Sequence, residues 1–553
     1  MKRSSRKEAT MKEIKDFFGK SVSRRSLLAA MAAGMAAATM DWTKIKTLAA
    51  TVEPKSEYPV VVIGAGMGGL TAAAYLARNG FPVTVIEQHD VPGGYVTSFD
   101  RAGGAFHFEV SPHYTVGVAQ YLEECGIKDK IELVKLPEFL RVVTPDYDLI
   151  FPQQNPKEIV SILSEKFPQE TEGIRGFMGH LTNLLQELRK PIDPKTISST
   201  HPIMWSISNQ TAAQLLDKYF KDEKLKAVLA AFGPGLGMPP SRYPNLFYSV
   251  ATAAYMILGK ETVKPHPQDL SDAFMHAIEN HGGRVILKTE VESILTKDGA
   301  AIGVRTADGK TYTARAVISN ASAPATFEKM LSPGVVPDNY MSKLRTYRPS
   351  LSSFKVWLGL NQELRGKIKG YHISVLGDYD IEASSKASLA AEASKANFVI
   401  FIYDNLYPGY SKPGKSSVSL IMYSGYGPWK RFEADYFSGR KEGYQKEKER
   451  IAQILIDRAE ALVIPGLRSM TEVMDAATPL TNVRYTKNHE GAIVGYENSM
   501  DNSGMNRIKN RTPIKGLYLA GHWGDPGGGF ATVIRSGQNT FKMMMEDWGH
   551  KTG

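Results

Sequence analysis

The stretch from Val60 to Gly69, "VVVIGAGMGG", decides the fold of this 553-residue chain. The apolar run from Tyr58 to Ile63 is rich in valine and predicts a central parallel strand. The segment "LTAAAYLARNG" then predicts a helix that ends at Gly80. A second strand, "FPVTVIE", ends at Glu87 and completes a βαβ unit of about 30 residues. The pattern indicates an α/β protein with a doubly wound dinucleotide-binding domain.

The glycines of this turn have distinct predicted roles. Gly64 allows the tight turn, Gly66 lets the backbone approach a pyrophosphate, and Gly69 lets helix and strand pack closely. The helix N-terminus at Gly68–Thr71 offers free N–H groups and partial positive charge to phosphates. Glu87 is positioned to accept hydrogen bonds from the adenosine ribose. A glycine-rich turn in an unrelated α/β fold would not require strand, helix and terminal acid together, so the pattern predicts dinucleotide binding.

Two more glycine-rich segments accompany the first. Gly93 and Gly94 follow Glu87 closely, as part of "VPGG". Near the C-terminus, a strand at Leu517–Ala520 precedes a turn that contains Gly521 and the triplet Gly527, Gly528 and Gly529. A helix is predicted from Phe530, and its N-terminus would stabilise negative charge on a bound cofactor. A simple strand–turn–helix does not explain so many glycines.

Charge and cysteine content exclude several classes of protein. Six of the ten net positive charges lie in residues 1–25 and one more in residues 26–50, which leaves three for the rest of the chain. A body with so little charge has no electrostatic footprint for nucleic acid. Cys125 is the single cysteine, so neither a disulfide within the chain nor a thiolate metal cage can form, and we expect a buried or half-buried filler. The histidine spacing shows no metal motif, and we predict no metal.

The N-terminal residues are typical of a targeting segment. In residues 21–28, "SVSRRSLL", Arg24 and Arg25 precede an uncharged run, Ser26–Met40, that consists mostly of alanine, methionine and glycine. That run is shorter than the about 20 residues of a transmembrane helix, and it lacks the polar face of an amphipathic helix. It fits a signal peptide, and the arginine pair resembles the twin-arginine signal of bacterial export. We therefore expect the export machinery as a partner and a periplasmic location, with residues 1–50 as signal peptide and linker.

Changes in the predicted secondary-structure pattern divide the rest of the chain into segments. Strand, glycine-rich turn and helix patterns occupy residues 57–130, 270–330 and 476–553, which predicts a nucleotide-binding domain assembled from three separated segments. Residues 131–269 and 331–475 are mixed, and they predict an inserted α+β substrate-binding domain. Within residues 270–330, "RVILKTEVESIL" is expected to be one strand, with hairpin turns following at Asp298-Gly299 and Asp308-Gly309.

From about residue 58 to 545 the chain resembles the FAD-dependent phytoene desaturase, carotenoid isomerase and retinol saturase superfamily of amine-oxidase-like flavoproteins. Five segments in the right order carry the resemblance: "VIEQHDVPGG", "FHFEVSPHYTVG", "QLLDKYFKDEKLKAVLAAFGPGLGMPPS", "TPLTNVRYTKNHEGAIVGYE" and "GLYLAGHWGDPGGGF". The chain departs from the pattern at Tyr95, where amine oxidases carry arginine, and at Ser111, where a flavin-facing glycine is expected. It also departs at "ETVKPHPQDL", which replaces a glycine-containing turn.

The resemblance implies FAD as cofactor and an apolar, polyene or isoprenoid-like substrate, with an electron acceptor or donor as a further partner. Desaturation, saturation and isomerisation all remain open. An amine-oxidase-like enzyme with a soluble substrate and a non-catalytic lipid escort of the same fold are the alternatives. Peripheral membrane contact is a further expectation. The implied FAD-binding residues are Gly64, Gly66, Gly68, Gly69, Glu87, Gly93, Gly94, Val291, Gly521, Gly527, Gly528 and Gly529.

The candidate catalytic side chains are few. By the resemblance, His113 and Tyr114 lie near the flavin face, where they would donate a proton or position the substrate. His522 follows Gly521 and would border the flavin. Each of these residues could equally be structural. Hydride transfer needs a dry, well-shaped cavity more than it needs many polar groups.

Overall fold

The structure is a computed structural model that describes residues 42–111, 114–193, 195–233 and 237–549. The predicted signal peptide, with its arginine pair, and the candidate His113 lie outside these residues. Among the helices of the described part, none combines the length and apolarity needed to cross a membrane.

A five-stranded parallel sheet forms the centre of the first domain, in the strand order β10-β2-β1-β14-β20. Its strands are, in that order, Arg284–Ile286, Val83–Ile86, Val60–Ile63, Ala316–Ser319 and Leu517–Leu519. All neighbouring pairs are parallel. Val60 and Val62 point into one apolar cluster and Val61 and Ile63 into another. Both faces are therefore covered, which is why the run is apolar at every position.

A seven-stranded sheet forms the centre of the second domain, in the order β19-β15-β18-β17-β16-β7-β8. Its strands are, in that order, Thr471–Ala477, Ser352–Leu360, Ser416–Ser424, Phe398–Ile402, His372–Val375, Leu140–Val143 and Asp148–Phe151. One pair, β16 with β7, is parallel and the others are antiparallel. The strand Thr471–Ala477 crosses the predicted domain boundary between residues 475 and 476.

The remaining strands of the described residues form three smaller sheets. Their members are β11-β12-β13 (Val291–Lys297, Ala300–Thr306, Thr311–Thr313), β3-β4 (Ser98–Arg101, Phe106–Glu109) and β5-β9-β6 (Tyr114–Thr115, Glu261–Lys264, Glu132–Lys135). The expectation of one strand in "RVILKTEVESIL" was wrong. The backbone N–H groups of Lys288 and Thr289 donate to the carbonyls of His89 and Glu87, and Lys288 has a φ of 54°. The chain therefore leaves the parallel sheet and starts the strand of a different sheet at Val291.

The α-helices within the described ranges are numbered α1 to α19 along the chain. They are Trp42–Thr51, Met67–Arg78, Ala119–Glu124, Pro156–Lys166, Thr171–Leu188, Ile197–Thr200, Pro202–Ile207, Ala212–Tyr219, Glu223–Ala230, Asn245–Ala253, Pro267–Asn280, Asp338–Leu344, Ile381–Leu389, Gly427–Lys430, Glu433–Phe437, Glu442–Leu462, Leu467–Met470, Pro479–Thr486 and Phe530–Gly549. Helices α2, α11 and α19 pack together on one face of the parallel sheet. Cys125 is free and buried in the same apolar cluster.

Candidate active site

A cavity of about 1250 Å³ opens where the carboxyl ends of the parallel strands meet the second domain. One wall carries residues of the glycine-rich turns, including Gly64 and Gly521, and the other carries residues of the seven-stranded sheet, including Lys355 and Trp357. Small-molecule sites typically measure about 300–1,000 Å³. The cavity therefore has room for a cofactor together with a second molecule.

The first glycine-rich turn forms a cradle at the start of helix α2. Gly66 is the N-cap, and no side chain among the described residues caps it. The free N–H groups of this first turn make an anion-binding site. A Cβ atom on Gly66 would lie 2.5 Å from Nδ2 of Asn320, and one on Gly68 would lie 2.4 Å from the backbone nitrogen of Gly521. At Gly68 a side chain would meet the backbone of Gly521, which cannot move aside, and a cofactor diphosphate suits the donors of this cradle.

The second glycine-rich loop is tied to the first. The N–H of Gly93 donates to the carbonyl of Ala65 at 2.8 Å, and Gly93 and Gly94 both line the cavity. Gly69 has the packing role predicted for it, because a Cβ atom there would lie 2.4 Å from the carbonyl oxygen of Gly64. Three separated parts of the chain thus meet within the cradle.

The triplet Gly527–Gly529 differs from the other predicted glycines. In the described part of the chain, these three are not among the residues that line the cavity. A Cβ atom on Gly528 would lie 2.2 Å from Cβ of Val494, and one on Gly527 would lie 3.0 Å from Cζ of Arg507. Close packing against Val494 and Arg507 explains Gly528 and Gly527, and Gly529 has a φ of 127°, which favours glycine.

Glu87 and Val291 lie at the same end of the cavity. The Glu87 carboxylate is nearly buried, with 9% exposure. Its oxygens accept hydrogen bonds from the backbone nitrogens of Ala65 at 2.6 Å and His89 at 2.8 Å. Val291 begins strand β11 beside it. Their shared position agrees with the predicted contacts to adenosine, which stay predictions.

Lys355 is the residue that sequence reasoning missed. It lies in the middle of strand β15, where every residue is buried, and it lines the cavity. Its ammonium group donates to the carbonyl of Val110 at 2.6 Å and lies 5.6 Å from the centroid of the Tyr95 ring. Burial lowers the pKa of Lys355 to about 7. The feature of the sequence that could have predicted this residue is one lysine within the otherwise uncharged strand sequence "SSFKVWLGL".

His522 lines the same cavity, with its ring centroid 6.3 Å from that of Tyr95. Its backbone oxygen accepts a hydrogen bond from Arg507 at 2.7 Å. Burial and the nearby Arg507 lower the pKa of His522 to about 3. The imidazole is therefore neutral at physiological pH, and it cannot deliver a proton as an imidazolium. A positioning role for His522 is compatible with this geometry.

Tyr114 lies elsewhere, and it is not among the described residues that line the cavity. Its ring stacks on His372 at 5.2 Å and contacts Tyr255 edge-on at 5.6 Å. The ammonium group of Lys260 lies 4.4 Å from its centroid. Burial raises the pKa of Tyr114 well above its usual value. Of the three predicted catalytic side chains, the structure brings only His522 to the glycine cradle, and His113 lies outside the described residues.

Comparison with known proteins identifies the class. The family of flavin containing amine oxidoreductases matches residues 67–540, and the chain belongs to this family. The protein is an FAD-dependent oxidoreductase, in agreement with the glycine cradle and the predicted cofactor.

The similar proteins also agree with the fold. The chain is 26% identical over 518 residues to prolycopene isomerase 2 of an Oncidium hybrid cultivar, covering 88% of this chain and 84% of that protein. It is 27% identical over 501 residues to the all-trans-retinol 13,14-reductase of Danio rerio, covering 83% and 82%. A solved oxidoreductase from Methanosarcina mazei is 18% identical and superposes with a TM-score of 0.60 over 88% of this chain and 100% of that one. The predicted fold class is confirmed.

Proposed function

We propose that this oxidoreductase acts on carbon–carbon bonds of an apolar polyene or isoprenoid-like substrate. The observation that carries the proposal is the wall of the cavity that faces the glycine cradle. It presents large aromatic side chains, among them Phe99, Trp357 and Tyr444. Such a wall suits an elongated apolar molecule, since burying apolar surface gains about 25 cal/mol per Å². The names of the similar isomerase and reductase point to the same substrate class.

The side chains of this chain have separate tasks in the proposal. The aromatic side chains on this wall pack against the substrate and hold it against the glycine side of the cavity. Bound FAD supplies hydride or electron transfer. Lys355 can hold or release a proton at Nζ near neutral pH, because burial brings its pKa to about 7. It is therefore a group on the cavity wall that can exchange a proton with the substrate.

The test is anaerobic incubation of the holoprotein with a panel of substrates. The panel contains a poly-cis carotene, phytoene, an all-trans retinoid and a primary diamine, each with oxidised and with reduced flavin. We expect FAD-dependent conversion of a polyene, seen by chromatography, and the product identifies isomerisation, desaturation or saturation. Flavin reduction by the diamine, with every polyene unchanged, would overturn the proposal in favour of amine oxidation. Apoprotein prepared in parallel is the control.

We further propose that the protein is exported in folded form by the twin-arginine route. The cradle combines Gly66, Gly93 and Gly521, which are far apart in sequence, so FAD can be held only by a folded chain. The pair Arg24 and Arg25 resembles a twin-arginine signal, and such a signal would accommodate folded cargo. Replacing Arg24 and Arg25 by lysine should retain the holoprotein in the cytoplasm, whereas Arg3→Lys with Arg6→Lys should not. Unchanged export of the first variant would refute the proposal.

A further inference from the structure

The hairpin of strands β3 and β4 and the start of helix α11 bring His107, Glu109 and His266 together. We propose that these three residues form a binding site for one divalent transition metal ion of the zinc type. The site is separate from the FAD cavity, because none of the three is among the described residues that line it. The sequence-based prediction of no metal rested on local spacing, and His266 is more than 150 residues from the other two.

The donor atoms lie close to the spacing that a metal needs. Oε1 of Glu109 lies 3.8 Å from Nε2 of His107 and 3.3 Å from Nδ1 of His266. The ligand atoms of the three residues all lie within 4.8 Å of one another. Two ligands at about 2.0–2.1 Å from a tetrahedral ion are separated by about 3.3 Å. An ion could therefore be bound after small side-chain adjustments.

His107 carries the strongest local sign of a missing ligand. Its Nε2 is buried and has no hydrogen-bond partner among the described residues. Its other ring nitrogen, Nδ1, lies 2.8 Å from Oδ1 of Asp100, the residue directly opposite it in the β3–β4 pair. An imidazole that is oriented by a carboxylate on one nitrogen and presents the other to the site is the usual arrangement of metal-binding histidines. An unpaired buried nitrogen is otherwise costly.

Glu109 is held in place by other side chains. It is only 3% exposed. The hydroxyl of Ser98 donates to Oε2 at 2.6 Å and the hydroxyl of Tyr410 donates to Oε1 at 2.8 Å. Carboxylates are oriented in the same way when they bind metals. The charge of Glu109 and of Asp100 then attracts a cation to the cluster.

The imidazoles decide the class of ion. The ring centroids of His107 and His266 are 3.6 Å apart, so both rings can contact the same ion. Neutral rings are what a metal requires. Two imidazole nitrogens and one carboxylate oxygen suit Zn²⁺, whereas Mg²⁺ and Ca²⁺ prefer oxygen ligands alone. Both histidine side chains are partly exposed, at 24% and 22%, which provides a path for the ion.

The position of the cluster indicates a structural metal. An ion would link the hairpin to the helix that begins at Pro267. In that helix, Ser271 donates to the carbonyl of Val96 at 2.6 Å, beside the second glycine-rich loop. On the hairpin, the backbone carbonyl of Glu109 accepts a hydrogen bond from Trp357 Nε1 at 2.7 Å. Metal binding should therefore stiffen one side of the FAD cavity without contact with the substrate.

The experiment uses tag-free holoprotein that has been freed of metals with a chelator. Isothermal titration with ZnCl₂ should show one Zn²⁺ bound per chain, and a thermal scan should show a higher melting temperature with zinc than without it. Mg²⁺ should neither bind nor compete with Zn²⁺. The double variant His107→Gln/His266→Gln should lose at least about 100-fold in zinc affinity. Its flavin absorbance reports whether it folds, and Glu109→Gln provides a single-site alternative.

The matched control is His276→Gln, because His276 is exposed on the same helix, α11. This variant should keep the stoichiometry and affinity of the wild type. Absence of saturable zinc binding to the wild type would overturn the proposal. Equal affinity in the wild type and in a folded cluster variant would overturn it as well, since the zinc would then bind elsewhere. Neither outcome depends on the substrate proposed above.

Discussion

Two regions of the molecule each bury a lysine, and the comparison shows why only one of these lysines is a candidate functional group. Lys355 donates to the carbonyl of Val110 at 2.6 Å, and Lys260 donates to that of Phe139 at 2.9 Å. Burial lowers the pKa of each to about 7. Lys355, however, faces the FAD cavity, whereas Lys260 lies among the rings of Tyr114, Phe139 and Tyr255. A perturbed pKa identifies a candidate site only where a cavity gives ligands access to the group.

The largest effect should come from disrupting the glycine cradle, which lines the same cavity as Lys355 and is the proposed cofactor site. In Gly68→Ala, the new Cβ would lie 2.4 Å from the backbone nitrogen of Gly521. Because neither backbone can move freely, we expect FAD content to fall below about a tenth of the wild-type value, a loss of more than about 1.4 kcal/mol. Flavin absorbance per chain measures it.

The control for the cradle is Gly179→Ala, in helix Thr171–Leu188 of the second domain. Gly179 has open space around its Cβ position. This variant should keep full FAD content and gain about 0.5–1 kcal/mol in stability from the better helix former. Normal FAD content in Gly68→Ala would show that the cradle does not hold the cofactor.

The lysines themselves give the next effect. Lys355→Met should lower turnover by about 100-fold, the scale seen when one oriented polar group of an active site is removed, whereas Lys260→Met should change it by less than about threefold. Absorbance of the bound flavin should also shift around pH 7 in the wild type and in Lys260→Met, and not in Lys355→Met. An equal loss of turnover in both variants would contradict the prediction that Lys355 takes part in the reaction and Lys260 does not.

Both lysines should make the free energy of unfolding depend on pH. Their pKa falls from 10.5 in the unfolded chain to about 7 in the folded protein. The unfolded chain therefore binds more protons between these values, and stability rises with pH across this window. Each lysine should contribute about 2 kcal/mol between pH 7 and pH 9. Denaturant titrations at several pH values should show a smaller slope in either methionine variant, and an unchanged slope would contradict the assignment.

The smallest effect is expected from Tyr114→Phe. Its ring packs against His372 and Lys260 in the interior of the second domain, so loss of the hydroxyl should change turnover by less than about twofold. The assay is the one used for the lysine variants. A fall comparable to that of Lys355→Met would place Tyr114 in the reaction after all and restore the role predicted from the sequence.

The sequence alone determined those features whose physical causes are local. The apolar run Val60–Ile63, the turn at Gly64–Gly69 and the acid at Glu87 are close neighbours along the chain, and each follows from the needs of one strand, one turn and one helix start. The family resemblance then extended the prediction of FAD binding to Gly93, Gly94 and Gly521, and the structure places these glycines on the same cavity wall.

Only the tertiary structure decided which distant side chains share a site. It placed Lys355 on the cavity wall, left Tyr114 in a separate interior cluster, and joined His107, Glu109 and His266 across two elements. No spacing along the chain encodes these meetings, because they depend on how two sheets and a hairpin pack together. Burial and neighbouring charge, which set the chemistry of such groups, exist only after that packing has occurred.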